Sequence, residues 1–166
     1  MALPAPALSR ALREGSSPEL KRRRWVFGLS LVGMVAGQIV SLFQMGVIRR
    51  LADLPVRPFD ANRVDAAPYA YSRLQTPDGA LMMVTYAITA VLAAAGGPDR
   101  ARRDPALPIA MALKTGYDSA TCVKLAMEEW RDTRALCGYC QTATVASLLS
   151  FAIALPEALR AVRHLR

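Results

Sequence analysis

An all-α, integral-membrane four-helix bundle with both termini in the cytoplasm is the fold class that this 166-residue sequence predicts. Three observations carry it: long uncharged apolar runs, Lys and Arg gathered between those runs, and helix-compatible spacing in the one run that does carry charge. Apolar residues make up 53% of the chain and charged residues 20%, against ~45–50% and ~25% in an average soluble domain. The single histidine, His164, excludes bis-histidine haem, a His-rich zinc site and a serine–histidine triad. The odd count of three cysteines excludes a disulfide-stapled scaffold. A net charge of +8 is compatible with nucleic acid in principle. However, the charge sits in flanks rather than in a basic groove interleaved with aromatics, so no nucleic-acid partner is expected.

Residues 1–24 read as a disordered basic tail, with Arg10, Arg13, Lys21, Arg22, Arg23 and Arg24. Residues 25–160 form the membrane domain. The first helix is assigned to residues 25–48, which hold no charge and exceed the ~20 residues needed to span. Its basic preface is long for a signal peptide and no small-residue cleavage site closes it, so it is read as uncleaved. Gly33 and Gly37 form a small-xxx-small pair; this is either a close-packing face or simply a glycine-tolerant membrane helix.

Residues 49–78 are a long outward loop, punctuated by Pro55, Pro58, Pro68 and Pro77. Within it, residues 67–74 read either as a short helix over the bundle mouth or as solvated loop. The second helix is assigned to residues 79–97, with Asp78 as its N-cap and Gly96-Gly97-Pro98 as its stop. The third, residues 105–127, carries Lys114, Asp118 and Lys124. Spacing puts Lys114, Asp118 and Cys122 on one face, where Lys114 and Asp118 pair inside the bundle; a soluble amphipathic helix is the alternative. The fourth, residues 137–159, holds only Glu157 as a charge, and Pro156 predicts a kink or stop. Residues 161–166 are a basic C-terminal tail. With four spans, twelve Lys and Arg fall on the side of the termini and seven on the other. Positive-inside then places the termini in the cytoplasm.

The chemistry-bearing motif is Cys137-Gly138-Tyr139-Cys140. Attachment of c-type haem needs His at position 141, which is Gln. A zinc site needs about four ligands, and no second C-x-x-C supplies them. What remains is a dithiol–disulfide couple, or two small apolar residues at a helix start. The outward end of a helix N-terminus favours the couple, because free N–H groups stabilise a thiolate and disulfides persist on that side. Cys122 reads as a small buried hydrophobe.

The run Leu136-Cys137-Gly138-Tyr139-Cys140-Gln141-Thr142-Ala143-Thr144, and Pro77-Asp78-Gly79-Ala80 leading into Thr85-Tyr86, resemble the fourth and second helices of the vitamin K epoxide reductase family. These are integral-membrane thiol–quinone oxidoreductases, and the likeness of layout covers residues 25–160. It implies that Cys140 passes electrons to a quinone, ubiquinone or menaquinone, and that Cys137 exchanges with a donor thiol pair. It places Asp78 where the family commonly has an Asn on the quinone oxygen, and Thr144 where it often has a Tyr. Tyr139, inside the motif, is taken with them as a quinone contact. No metal and no haem are expected.

Residues 49–78 lack the family's second, shuttle cysteine pair. The resemblance then implies a thioredoxin-like thiol protein on the outer face, with the chain in a bacterial inner (plasma) membrane and the motif facing outward. The alternative is a non-catalytic four-helix membrane subunit of a larger membrane complex, derived from that family.

Overall fold

Residues 4–165 are described in the computed structural model. Among them are seven α-helices: α1 (Ala5–Glu14), α2 (Pro18–Gln44), α3 (Ala61–Asp65), α4 (Asp78–Ala94), α5 (Arg100–Arg103), α6 (Ala106–Thr133) and α7 (Gly138–His164). A 3-10 turn spans Pro68–Tyr71. No strand occurs among the described residues, and one isolated bridge joins Phe59 to Leu136. The described residues are of the all-α class, as the long uncharged apolar runs predict.

The four long helices pack side by side. α2 lies on α4 and α7, α6 lies on α7, and α6 touches α4 more lightly. Glycine makes the α2–α4 contact close. A Cβ on Gly33 would run into the Tyr86 ring, and one on Gly79 would meet the backbone of Ser41 and Gly37. The Gly33–Gly37 pair is therefore a packing face. Outward, Val32, Val35, Val84, Val91, Leu113 and Val145 are exposed. An apolar exterior of this kind suits hydrocarbon rather than water. α2 and α7 are long and apolar enough to cross a membrane, whereas α4 is a shorter apolar helix.

The tail before α2 differs from the sequence expectation. Residues 5–14 are helical rather than disordered; residues 1–3 of that tail, and Arg166 of the C-terminal one, lie outside the described residues. Arg24 explains the order: its Nη2 donates to Leu12 O and Gly15 O, at 2.7 Å each, and so satisfies carbonyls at the end of α1. α2 begins at Pro18, capped by Ser17, whose Oγ accepts the Leu20 N–H at 3.3 Å. It ends at Gln44, ahead of Gly46 at φ 75°. α6 continues past residue 127 to Thr133. α7 runs through Pro156 without stopping.

The end bearing the termini is held by two guanidinium groups. Arg23 donates to the carbonyls of Ala93 (2.8 Å), Ala95 (2.9 Å) and Gly97 (2.9 Å), among others, at the C-terminus of α4. Arg100 donates to Leu92 O (2.6 Å) and Ala95 O (2.8 Å) and pairs with both oxygens of Glu157 at 2.8 and 2.9 Å. Arg100 and Glu157 are 0% and 1% exposed. Each Arg thus satisfies orphan carbonyls that an apolar setting cannot hydrate. The Arg100–Glu157 pair also anchors α7 just beyond Pro156, where the helix has lost one backbone bond.

Gly33→Ala is expected to lower stability by about 1–3 kcal/mol, because the methyl must displace a packed ring. Gly28→Ala, with nothing within 4 Å of the new Cβ, is the neutral control; thermal unfolding in detergent compares them. Glu157→Ala leaves Arg100 buried and unpaired, and should cost about 3–5 kcal/mol in the same assay.

Candidate functional site

The first loop is folded back on the start of α7. Asp60 N–H donates to Leu136 O and Leu136 N–H donates to Pro58 O, both at 3.0 Å. Asn62 closes the loop on itself, accepting Leu51 N–H at 2.8 Å and donating to Leu51 O at 3.1 Å. Asp60 caps α3 through the Arg63 N–H at 3.0 Å, and Asp53 accepts the Ala61 N–H. Leu51, Ala61 and Val64 then pack with Val40, Ala135 and Cys137 into one apolar cluster. The loop is a structured cover and not a solvated strap.

Under that cover lies the C-x-x-C. Cys137 is the N-cap of α7, and its Sγ accepts the Cys140 N–H at 3.3 Å. All three cysteines are free thiols. Cys137 is fully buried, while Cys140 is partly exposed. The hydrogen bond from Cys140 favours the Cys137 thiolate, as the helix N-terminus predicts. Burial and the nearby Asp65 carboxylate outweigh it, so the Cys137 thiol is pushed above its ordinary range.

Asp65 reaches the motif from the last turn of α3. Its Oδ1 accepts from Cys140 Sγ at 3.7 Å. The Asp65 carboxylate and both sulfurs lie within 4.8 Å of one another. These three donors are one short of a closed structural zinc shell, and their chemistry is that of a carboxylate facing two thiols. Asp65 is 2% exposed, and its Oδ2 has no hydrogen-bond partner. Burial pushes its carboxyl up from 3.8 to about 6, against hydrogen bonds from Cys137 and Cys140 that hold it down. Glu129, at the end of α6, accepts the Cys137 N–H on one oxygen and Gln141 Nε2, at 3.2 Å, on the other.

A cavity of about 190 Å³ opens beside the motif. A dry cavity of ~150 Å³ is enough for one benzene ring, so this one admits a single substituted ring. Its wall is largely apolar, with Met82, Tyr86, Leu125 and Ala143, and it includes Cys140 but not Cys137. Tyr86 is held in place by hydrogen bonds to Ala143 O (2.5 Å) and Ser147 Oγ (2.7 Å).

Of the residues expected at a quinone, Asp78 and Thr144 line this cavity. Asp78 is not the N-cap of α4; that position is Pro77, and the Asp78 carboxylate pairs with Arg73 at 2.9 and 3.0 Å. An ionised carboxylate cannot donate a hydrogen bond. Arg73, also on the cavity wall, is the donor there, and it bonds Glu128 at 3.0 Å as well. Thr144 spends its proton on Cys140 O at 2.9 Å. Tyr139 stands apart from the cavity and donates to Ala52 O at 3.0 Å, so it tethers the loop. Cys122 is on the wall, donating to Ser147 Oγ at 3.6 Å. Asp118 accepts from Lys114 and from Thr85 Oγ1 at 3.2 Å.

Sequence reasoning missed Asp65, Glu129 and Arg73. Each looked like an ordinary charge in a polar stretch. The one local signal was Asp60-Ala61-Asn62-Arg63, a capped turn that turns Val64 inward and carries Asp65 with it.

Compared with family models, residues 24–155 match the one described as the vitamin K epoxide reductase family. No match was found among curated proteins or among solved structures.

The raised carboxyl of Asp65 carries a pH signature. Between 3.8 and about 6 the folded chain binds more protons than the unfolded chain. Stability therefore falls as pH rises through that window. Asp65→Asn is expected to remove this slope and to raise stability above it by up to ~3 kcal/mol, read from unfolding midpoints at a series of pH values.

Proposed function

The chain belongs to the vitamin K epoxide reductase family, and on that premise we propose that it is an integral-membrane enzyme coupling a Cys137–Cys140 dithiol to a quinone. One observation carries the proposal: of the two motif sulfurs, Cys140 is the one on the wall of a ring-sized apolar cavity. Each turnover breaks two S–H bonds and forms one S–S bond. Two electrons and two protons pass to the quinone, which leaves as the quinol. Cys140 is the sulfur that meets the substrate, and Cys137 closes the disulfide.

The cavity supports the quinone assignment through its shape and its polar groups. Asp78, paired with Arg73, lines it at the start of α4, and Asp118, which accepts from Thr85, lines it about two turns further along that helix. Hydrogen-bonding groups set apart along an apolar slot suit a ring with an oxygen on each side. Ubiquinone, with its single ring, meets that description within the cavity's volume, and the two fused rings of menaquinone need more room. We assign the four long helices as four spans, with α4 and α6 also turning apolar side chains, Val84, Val91 and Leu113, outward to the lipid. The termini are then cytoplasmic and the motif faces outward in a bacterial plasma membrane, on the side where a thioredoxin-like dithiol protein works. Because Cys137 is wholly covered by the loop, that partner reaches it only when residues 51–65 lift.

A second reading has its own support. With no cysteine in residues 49–78 and Cys137 sealed, the fold also suits a non-catalytic membrane subunit of a larger complex.

The test is reduction of a soluble ubiquinone analogue by dithiothreitol in mild detergent, followed by absorbance. Cys140→Ser is expected to fall to background, whereas Cys122→Ser, which replaces one donor to Ser147 by another on the cavity wall, keeps Cys140-dependent turnover. Full activity in Cys140→Ser would overturn the enzyme reading. Indifference to the double change Cys137→Ser and Cys140→Ser, with stable co-purifying proteins, would establish the subunit instead.

A further inference from the structure

Four carboxylates line the cavity beside the motif: Asp65, Asp78, Asp118 and Glu129. Three are engaged. Asp78 is paired with Arg73, Asp118 holds Lys114 and Thr85, and both oxygens of Glu129 accept hydrogen bonds from the start of α7. Asp65 is different. One oxygen meets the Cys140 thiol at 3.7 Å, and the other is buried with no partner. Among the described residues no salt bridge reaches it. It caps no helix, since Asp60 does that for α3. A buried carboxylate left half-satisfied costs stability, and nothing in the packing of the loop uses it.

We propose that Asp65 is the acid–base residue of the dithiol, taking the Cys140 thiol proton and delivering it to an oxygen of the quinone in the cavity. This rests on the thiol–quinone reading above. Sulfur reacts as the thiolate, and the Asp65 carboxylate is the base in contact with that S–H. The balance is closed. The S–H bond of Cys140 breaks, Asp65 holds the proton, and the proton bonds to one quinol oxygen as two electrons leave the dithiol. As Cys137 bonds to Cys140, its proton passes to Asp65 in turn and is released to water, while the second quinol oxygen takes one proton from water. The quinone is the oxidant, and Asp65 ends as it began.

The surroundings keep this group near neutrality. Burial is the main cause of its raised carboxyl, at about 6, and the Asp78 and Asp53 carboxylates add to it. Cys137 and Cys140 face it from α7 and hold it down. Glu129 faces it from α6, and Tyr69 and Tyr71 from the loop. From α2, neutral Gln44 meets only its backbone carbonyl, at 3.4 Å. A base poised close to the working pH accepts and returns protons with little loss either way.

The test uses two readouts. In a Cys122→Ser, Cys137→Ser background, Cys140 is the sole thiol, and its rate of alkylation by iodoacetamide is followed against pH. With Asp65 in place the rate is expected to rise and then break at about 6. The state with a protonated carboxyl and a thiolate holds as many protons as the state with a carboxylate and a thiol, so its share levels off there. Asp65→Asn should remove the break. In the protein with all cysteines, Asp65→Asn should lower kcat for quinone reduction about 100-fold with little change in KM, and Asp65→Glu should restore part of it. A carboxylate that only supported the loop would move neither the break nor kcat selectively. A profile without a break when Asp65 is present, or an unchanged kcat in Asp65→Asn, would overturn the proposal. Failure of the oxidoreductase reading shows separately, as absence of Cys140-dependent turnover before any change at Asp65. That outcome overturns the proton delivery to quinone as well, and the alkylation profile alone then reports the thiol contact.

Discussion

Two backbone hydrogen bonds, from Asp60 to Leu136 and from Leu136 to Pro58, decide where the first loop lies. They stitch the loop to the residue just before the C-x-x-C. Everything at the site follows from that seam. α3 is set down over the start of α7, Val64 and Leu51 are pressed against Cys137, and Asp65 is carried to within reach of both sulfurs. Tyr139 strengthens the seam from the other side by holding Ala52. A loop tied at one end only would leave Cys137 open to water and Asp65 free to find a cation. Tied here, it sets a carboxylate and two thiols face to face.

The opposite end of the molecule obeys the same constraint with different means. Helix ends leave carbonyls without donors, and an apolar environment offers no water to satisfy them. Arg23 and Arg100 supply the donors, and Glu157 neutralises Arg100 in full burial. Read from the sequence, Arg23 and Arg100 belonged to the positive flanks that orient a membrane protein. Their side chains are instead structural, and they turn back into the helices to close α4. Charge counted along a chain reports which side of a membrane a segment prefers. It does not report where each long side chain ends.

Between the two ends, the cavity owes its form to small residues. Gly33, Gly37 and Gly79 draw α2 and α4 together, and Tyr86 fills the space so made, with its hydroxyl held by α7. The void left beside Tyr86 is open to Cys140 and closed to Cys137. The two sulfurs of one short motif therefore have different neighbours: Cys140 has the cavity, and Cys137 has the loop and Glu129. This asymmetry is what gives each thiol a separate task in the proposed redox cycle.

The sequence by itself determined the helical class, the approximate positions of the long helices, the dithiol at the head of the last one, and the family that these features together resemble. Those are properties of local composition and period: uncharged runs, cysteine spacing, capping residues and breakers. Local signals were also misleading where distant partners intervened. α1 is ordered by Arg24, and Asp78 is drawn from a capping role by Arg73. Only the tertiary structure decided which carboxylate meets the thiols. Asp60, Asp65 and Asp78 are alike as residues in a polar loop. The fold caps a helix with the first, pairs the third with an arginine, and leaves the second buried against Cys140. That difference depends on which chain segments are brought together, and no spacing along one segment encodes it.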